Sequence, residues 1–86
     1  MVSAEFTQAA EDVTNLAKPA SNDEKLKTYA LFKQANVGDC NTTRPGAFDF
    51  TGKAKWDAWN AIKGKSSADA ETEYIAFVKE LQAKYN

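Results

Sequence analysis

Apolar residues in this chain recur three or four positions apart, and no useful stretch alternates with period two, so the pattern predicts an all-α protein. The first helix is expected to open at Ser3, a good N-cap, with Glu5 in its first turn. Phe6, Ala10, Val13 and Leu16 form its stripe, and Pro19 is expected to end it. Ser21-Asn22-Asp23-Glu24 reads as a capping box for a second helix, along one face of which run Leu26, Tyr29, Ala30, Lys33 and Val37. Gly38 can supply the left-handed turn that stops it. A third helix is expected over residues 51–63, with Trp56, Trp59 and Ile62 among its apolar positions and Gly64 as its stop. Ser66 and Asp69 cap a fourth, whose stripe is Tyr74, Val78, Leu81 and Tyr85, widened by Ile75.

These stripes predict a four-helix bundle of antiparallel type in which the first and last helices share a seam. The segment 39–50 is long for a bundle connection, at the length where function is the usual reason. Pro45-Gly46 provides a turn within it, and Phe48 and Phe50 are expected to pin it to the core. At 86 residues the chain makes a single domain, 1–86, and 43% hydrophobic content can fill a modest core.

Composition removes several classes of chemistry. There is no histidine, hence no histidine-based triad or histidine-ligated metal, and the one cysteine, Cys40, excludes an internal disulfide and multi-cysteine zinc motifs. Gly64-Lys65-Ser66 resembles the end of a phosphate loop, but Trp59 stands where the first glycine is required. No catalytic residue and no metal site is expected, and the chain reads as a non-enzyme. No apolar run approaches the ~20 residues of a membrane span, and the amino terminus, Met1-Val2-Ser3, has neither the basic and apolar segments of a leader nor a myristoylation signal. The expectation is a cytoplasmic protein, monomeric and without stable membrane insertion.

The net charge of −1 is uninformative, but its distribution is not. Residues 1–24 hold five acids against Lys18, whereas residues 25–65 hold eight bases against three acids. A basic middle in a nearly neutral chain suits an anionic ligand better than nucleic acid, whose binders are usually basic overall. Within that middle, Tyr29 and Lys33 are spaced i, i+4 with Phe32 beside them, and Lys55 and Trp59 have the same spacing. Lysines offer point charges to phosphate, a phenol offers a hydrogen bond, and rings offer a stacking surface. The tryptophans also read well as core residues with polar edges at the surface.

The written order of these residues resembles the acyl-CoA-binding protein family. The resemblance is carried by Tyr29-Ala30-Leu31-Phe32-Lys33-Gln34-Ala35-Asn36-Val37-Gly38-Asp39, by Arg44-Pro45-Gly46 and by Lys53-Ala54-Lys55-Trp56-Asp57-Ala58-Trp59, and extends over residues 6–85. It implies an up-down-down-up bundle with the long segment crossing between the second and third helices. It implies a carrier and pool former for medium- to long-chain fatty acyl-CoA esters, with acyl-CoA-using enzymes as transient partners and no cofactor. By resemblance, Tyr29, Lys33 and Lys55 meet the 3′-phosphate, Phe32 lies near the adenine where the family usually has tyrosine, and Tyr74 lies against the pantetheine and acyl chain. Phe6, Ala10 and Leu26 resemble apolar wall residues of the same groove. Thr14 stands where many relatives have a lysine, so no contact carries over to it. Val13, Leu16, Val78 and Leu81 read as seam alone. The alternative function is a small helical protein–protein interaction module.

Overall fold

The computed structural model describes residues 3–86, which form four helices and no strand: α1 (Ala4–Thr14), α2 (Asn22–Asn36), α3 (Phe50–Ala61) and α4 (Ser67–Tyr85). Met1 and Val2, on which the reading of the amino terminus depends, lie outside the described residues. Each helix starts at a side-chain cap. The Ser3 hydroxyl accepts from the Phe6 N–H, Asp49 Oδ1 from the Gly52 N–H and the Ser66 hydroxyl from the Asp69 N–H. Ser21 and Glu24 form the reciprocal box, each side chain accepting from the other's backbone N–H. Removing such a cap typically costs ~1 kcal/mol. Gly38 and Gly64, which end α2 and follow α3, both take φ of 96°, the left-handed region where a Cβ is penalised.

The first helix ends earlier than its stripe suggests. Thr14 Oγ1 and Asn15 Nδ2 both donate to the Glu11 carbonyl, and the Asn15 N–H turns back to Asp12. These local bonds compete with continued helix, so Thr14-Asn15, not Pro19, is the stop, and Leu16 lies beyond it. Val37 likewise falls at the C-cap of α2 and is 49% exposed.

α2 packs against both α3 and α4, and α1 packs against α4. Phe6 and Ala9 of α1, Leu31 and Ala35 of α2, and Ala70, Tyr74 and Val78 of α4 make the buried cluster, with Val13, Ile62 and Ile75 packed on it. Leu81 is buried as well, so the expected seam between first and last helices is present.

The connection between α2 and α3 is held by polar contacts. Trp56 and Trp59 donate their indole N–H groups to the Thr42 and Gly38 carbonyls, each at 2.9 Å, and Arg44 forms a two-pronged pair with Asp57, both bonds at 2.9 Å. Gln34, fully buried, donates to Asp39 Oδ1 at 2.8 Å and to the Lys65 carbonyl at 2.7 Å, while Asp39 also accepts from the Gly64 N–H. These bonds anchor the segment through Gly38, Asp39, Thr42 and Arg44. Phe48 and Phe50 therefore do not pin it: Phe48 is 95% exposed and Phe50 is 74% exposed.

Candidate ligand-binding site

On α2, Lys25, Tyr29 and Lys33 follow one another at steps of four and so share a helical face. On the neighbouring α3, Lys55 and Trp59 do the same. The two helices exchange partners. Lys33 Nζ lies 5.1 Å from the ring centre of Trp59, and Lys55 Nζ lies 5.3 Å from that of Tyr29, both within cation–π range. Neither ammonium meets a carboxylate. Among the described residues the ion pairs are Arg44–Asp57, Lys65–Glu73 and Lys84–Glu24, so the positive charge of Lys25, Lys33 and Lys55 stays available to an incoming anion.

Behind this charged face stands a stack of rings. Phe6 and Phe32 are stacked at an interplanar angle of 26° with centres 5.5 Å apart, and Tyr74 closes the group at 4.6 Å from Phe6 and 5.9 Å from Phe32. Phe6 and Tyr74 are each only 2% exposed, whereas Phe32 is 37% exposed. Burial raises the pKa of the Tyr74 phenol, so the group stays neutral.

Three cavities adjoin at Lys55. The largest, about 600 Å³, is lined by Phe32, Tyr29, Thr28 and Lys25 of α2, by Tyr74 of α4, and by Val13, Thr14, Leu16 and Lys18 at the end of α1 and beyond. A second, about 230 Å³, holds Tyr29, Lys33 and Lys55 together with Trp56, Trp59 and Pro45. A third, about 350 Å³, runs between Lys25 and Leu26 of α2 and Phe50 and Ala54 of α3. The first falls within the size range of small-molecule sites, with an apolar lining and a few polar groups at its edge.

The structure thus brings Tyr29, Phe32, Lys55 and Tyr74 around one cavity and puts Lys33 on the next. Leu26 walls the third. Phe6 lines none of the three; it backs Phe32 and Tyr74 from the core, and Ala10 is half-buried against the same core. Val13 and Leu16, expected only as seam, line the largest cavity. Lys18 and Lys25 are the residues that sequence reading missed. Lys25 was findable, being one more step of four before Tyr29. Lys18 was not, because it comes from an irregular segment whose path periodicity does not describe.

The family profile described as "Acyl CoA binding protein" matches residues 3–78. The chain belongs to the acyl-CoA-binding protein family. It is 60% identical over 85 residues to an acyl-CoA-binding protein homolog of Drosophila melanogaster, covering 99% of both chains. Against the acyl-CoA-binding protein of Saccharomyces cerevisiae it is 50% identical over 86 residues, covering 100% of this chain and 99% of the other. The fold is similar to the crystal structure of Oryza sativa Acyl-CoA-Binding Protein 2, with a TM-score of 0.88 at 45% identity over 93% of this chain and 89% of that one. It is also similar to the solution structure of the yeast acyl-coenzyme A binding protein, with a TM-score of 0.77 at 50% identity over 98% of each. The all-α, up-down-down-up bundle of this family is therefore the architecture of the chain, and the long α2–α3 segment is its crossover.

Proposed function

We propose that the chain binds fatty acyl-CoA thioesters of medium to long chain and carries them through the cytoplasm to the enzymes that use them, as a monomer and without catalysis. The observation that carries this reading is the exchange of lysines and rings between α2 and α3 at the junction of three cavities. Lys33, Tyr29 and Lys55 suit the 3′-phosphate: two ammonium groups, free of carboxylates, and a phenol can meet one dianion. Phe32, backed by Phe6, offers the adenine a ring to stack on. Lys25 and Lys18 both line the largest cavity, where a diphosphate can be neutralised. Tyr74 and the Leu26–Phe50–Ala54 channel supply apolar wall for pantetheine and tail.

Binding alone suffices for such a role. No group of acids or cysteines that could hold a metal occurs among the described residues, and no helix there is long and apolar enough to cross a membrane. Tail burial favours the complex by at most ~0.8 kcal/mol per enclosed CH₂.

Trp56 and Trp59 line the cavity of Lys33, so their fluorescence reports on it. Titration with palmitoyl-CoA should give a strong saturable change, with free CoA weaker and palmitate weaker still. Silence toward all three ligands would remove the carrier reading and leave the protein–protein module in its place.

A further inference from the structure

Thr42 lines the cavity of about 230 Å³ that gathers Lys33 and Lys55 with Trp56 and Trp59, and it is exposed to solvent. The backbone holds it there. The Trp56 indole N–H donates to the Thr42 carbonyl at 2.9 Å, and Trp56 adjoins Lys55 on α3. The hydroxyls of Thr7, Thr14, Thr28 and Thr72 each donate to a carbonyl three or four residues earlier. Thr42 lies outside the helices and makes no such bond among the described residues, so its hydroxyl is not spent on a helix turn.

The cavity beside it is short of anions. Lys33 and Lys55 face rings and are in no ion pair among the described residues. The acids of the neighbouring segments are engaged. Asp39 accepts from Gln34 and the Gly64 N–H, Asp57 pairs with Arg44, and Asp49 caps α3. A phosphothreonine carries a charge of about −1.5 to −2 at neutral pH and three strong acceptor oxygens, which a pair of unengaged lysines can meet with charge-assisted hydrogen bonds.

We propose that Thr42 is a phosphorylation site whose phosphate occupies the Lys33–Lys55 cavity and switches off ligand binding. A protein kinase supplies the phosphoryl group. The Thr42 hydroxyl oxygen attacks the γ-phosphorus of a nucleoside triphosphate, and the bond from that phosphorus to the β,γ-bridging oxygen breaks. The nucleoside diphosphate leaves, and the hydroxyl proton passes to the kinase's base. Being tethered, the new phosphate meets both lysines at an effective concentration of about millimolar, without the loss of translational freedom that a free ligand undergoes. Its role as a switch rests on the proposed function, because it takes the place given there to the ligand's 3′-phosphate.

The test compares the unmodified full chain with two forms that carry genetically encoded phosphothreonine, one at position 42 and one at position 43. Calorimetry should show palmitoyl-CoA binding the Thr42 phosphoprotein roughly ten- to a hundred-fold more weakly than the unmodified chain. Ligand lacking the 3′-phosphate should lose much less. Thr43 lines none of the three cavities, so its phosphate should change affinity by no more than about five-fold. Melting temperatures of the three forms should agree, and protein isolated from its own cells should show phosphate on Thr42 by mass spectrometry. Unchanged binding by the Thr42 phosphoprotein, an equal loss from phosphate on Thr43, an equal loss for both ligands, loss of the fold, or native protein without phosphate on Thr42 would each overturn the proposal. Unmodified protein that ignores palmitoyl-CoA would strike the carrier reading. Phosphorus NMR still tests the site in that event: the Thr42 phosphate should titrate at lower pH than the Thr43 phosphate, because two ammonium groups favour its dianion, and coincident titrations would leave the cavity unfilled and the proposal wrong.

Discussion

Lys33 of α2 projects its ammonium over the ring of Trp59 on α3, 5.1 Å from the ring centre, while the indole N–H of that same tryptophan is spent on the Gly38 carbonyl. The tryptophan is thereby fixed as a floor, and the lysine is held by a ring face and no carboxylate. A cation placed in this way keeps its charge for a ligand while losing part of its freedom beforehand, which lowers the entropic cost of binding.

Lys33→Ala should therefore weaken palmitoyl-CoA binding with little effect on folding. A charge-assisted hydrogen bond is worth about 1.5–3 kcal/mol, or roughly ten- to a hundred-fold in affinity. Ligand lacking the 3′-phosphate should bind the wild type with a similar deficit and lose little more with the mutant. Isothermal titration of both ligands checks this, and an equal effect of the mutation on the two would place Lys33 away from that phosphate.

A series of acyl-CoAs of increasing length should show affinity rising and then levelling where the tail leaves the wall formed by Tyr74 and the Leu26–Phe50–Ala54 channel. Two added methylenes can contribute at most ~1.6 kcal/mol, about fifteen-fold, while enclosed. Calorimetry below the micelle concentration measures the slope. A flat series in which CoA equals palmitoyl-CoA would mean that only the nucleotide is read.

Leu81→Ala is expected to act on stability alone. Leu81 is 1% exposed and lines none of the site's cavities, and truncating a buried leucine costs about 2–5 kcal/mol. Denaturant midpoints should fall while the folded fraction binds ligand normally. An unchanged midpoint with poor binding would reverse the assignment.

Acid stability should depend on Glu24, which joins the start of α2 to the end of α4. Its carboxylate accepts from the Tyr85 hydroxyl, from the Ser21 N–H and from Lys84, and these contacts lower its pKa from 4.5 to about 2, the Tyr85 bond contributing most. A depressed carboxylate pKa means that the folded state favours the ionised form. This contribution is complete above pH 4.5 and fades as the pH falls toward 2. Melting temperature followed over that window should fall less steeply in Glu24→Gln than in wild type, and the variant should melt lower at neutral pH. Some slope will persist, because Arg44 lowers the pKa of Asp57, and the Gly64 N–H and Gln34 that of Asp39. Parallel curves for wild type and variant would contradict the assignment.

Much of this molecule is written in local order. Ser21 with Glu24, Ser66 with Asp69, and Gly38 and Gly64 act within a few residues of themselves, so the starts of α2 and α4 and the turns ending α2 and following α3 follow from adjacent letters. The steps of four that align Tyr29 with Lys33 and Lys55 with Trp59 are equally local, because helix geometry converts spacing into a shared face. Which face meets which is a different matter. Only packing decided that Lys33 crosses to Trp59 and Lys55 to Tyr29, that Gln34 is buried as a clamp on Asp39 and Lys65, and that Leu16 borders a cavity. Phe48 and Phe50 mark the boundary most plainly. Their hydrophobicity predicts burial, yet the ties from Arg44, Trp56 and Trp59 already fix the loop and leave the two rings outside. A residue's own chemistry states what it would gain by burial, whereas competition among all residues for a finite interior decides which of them obtain it.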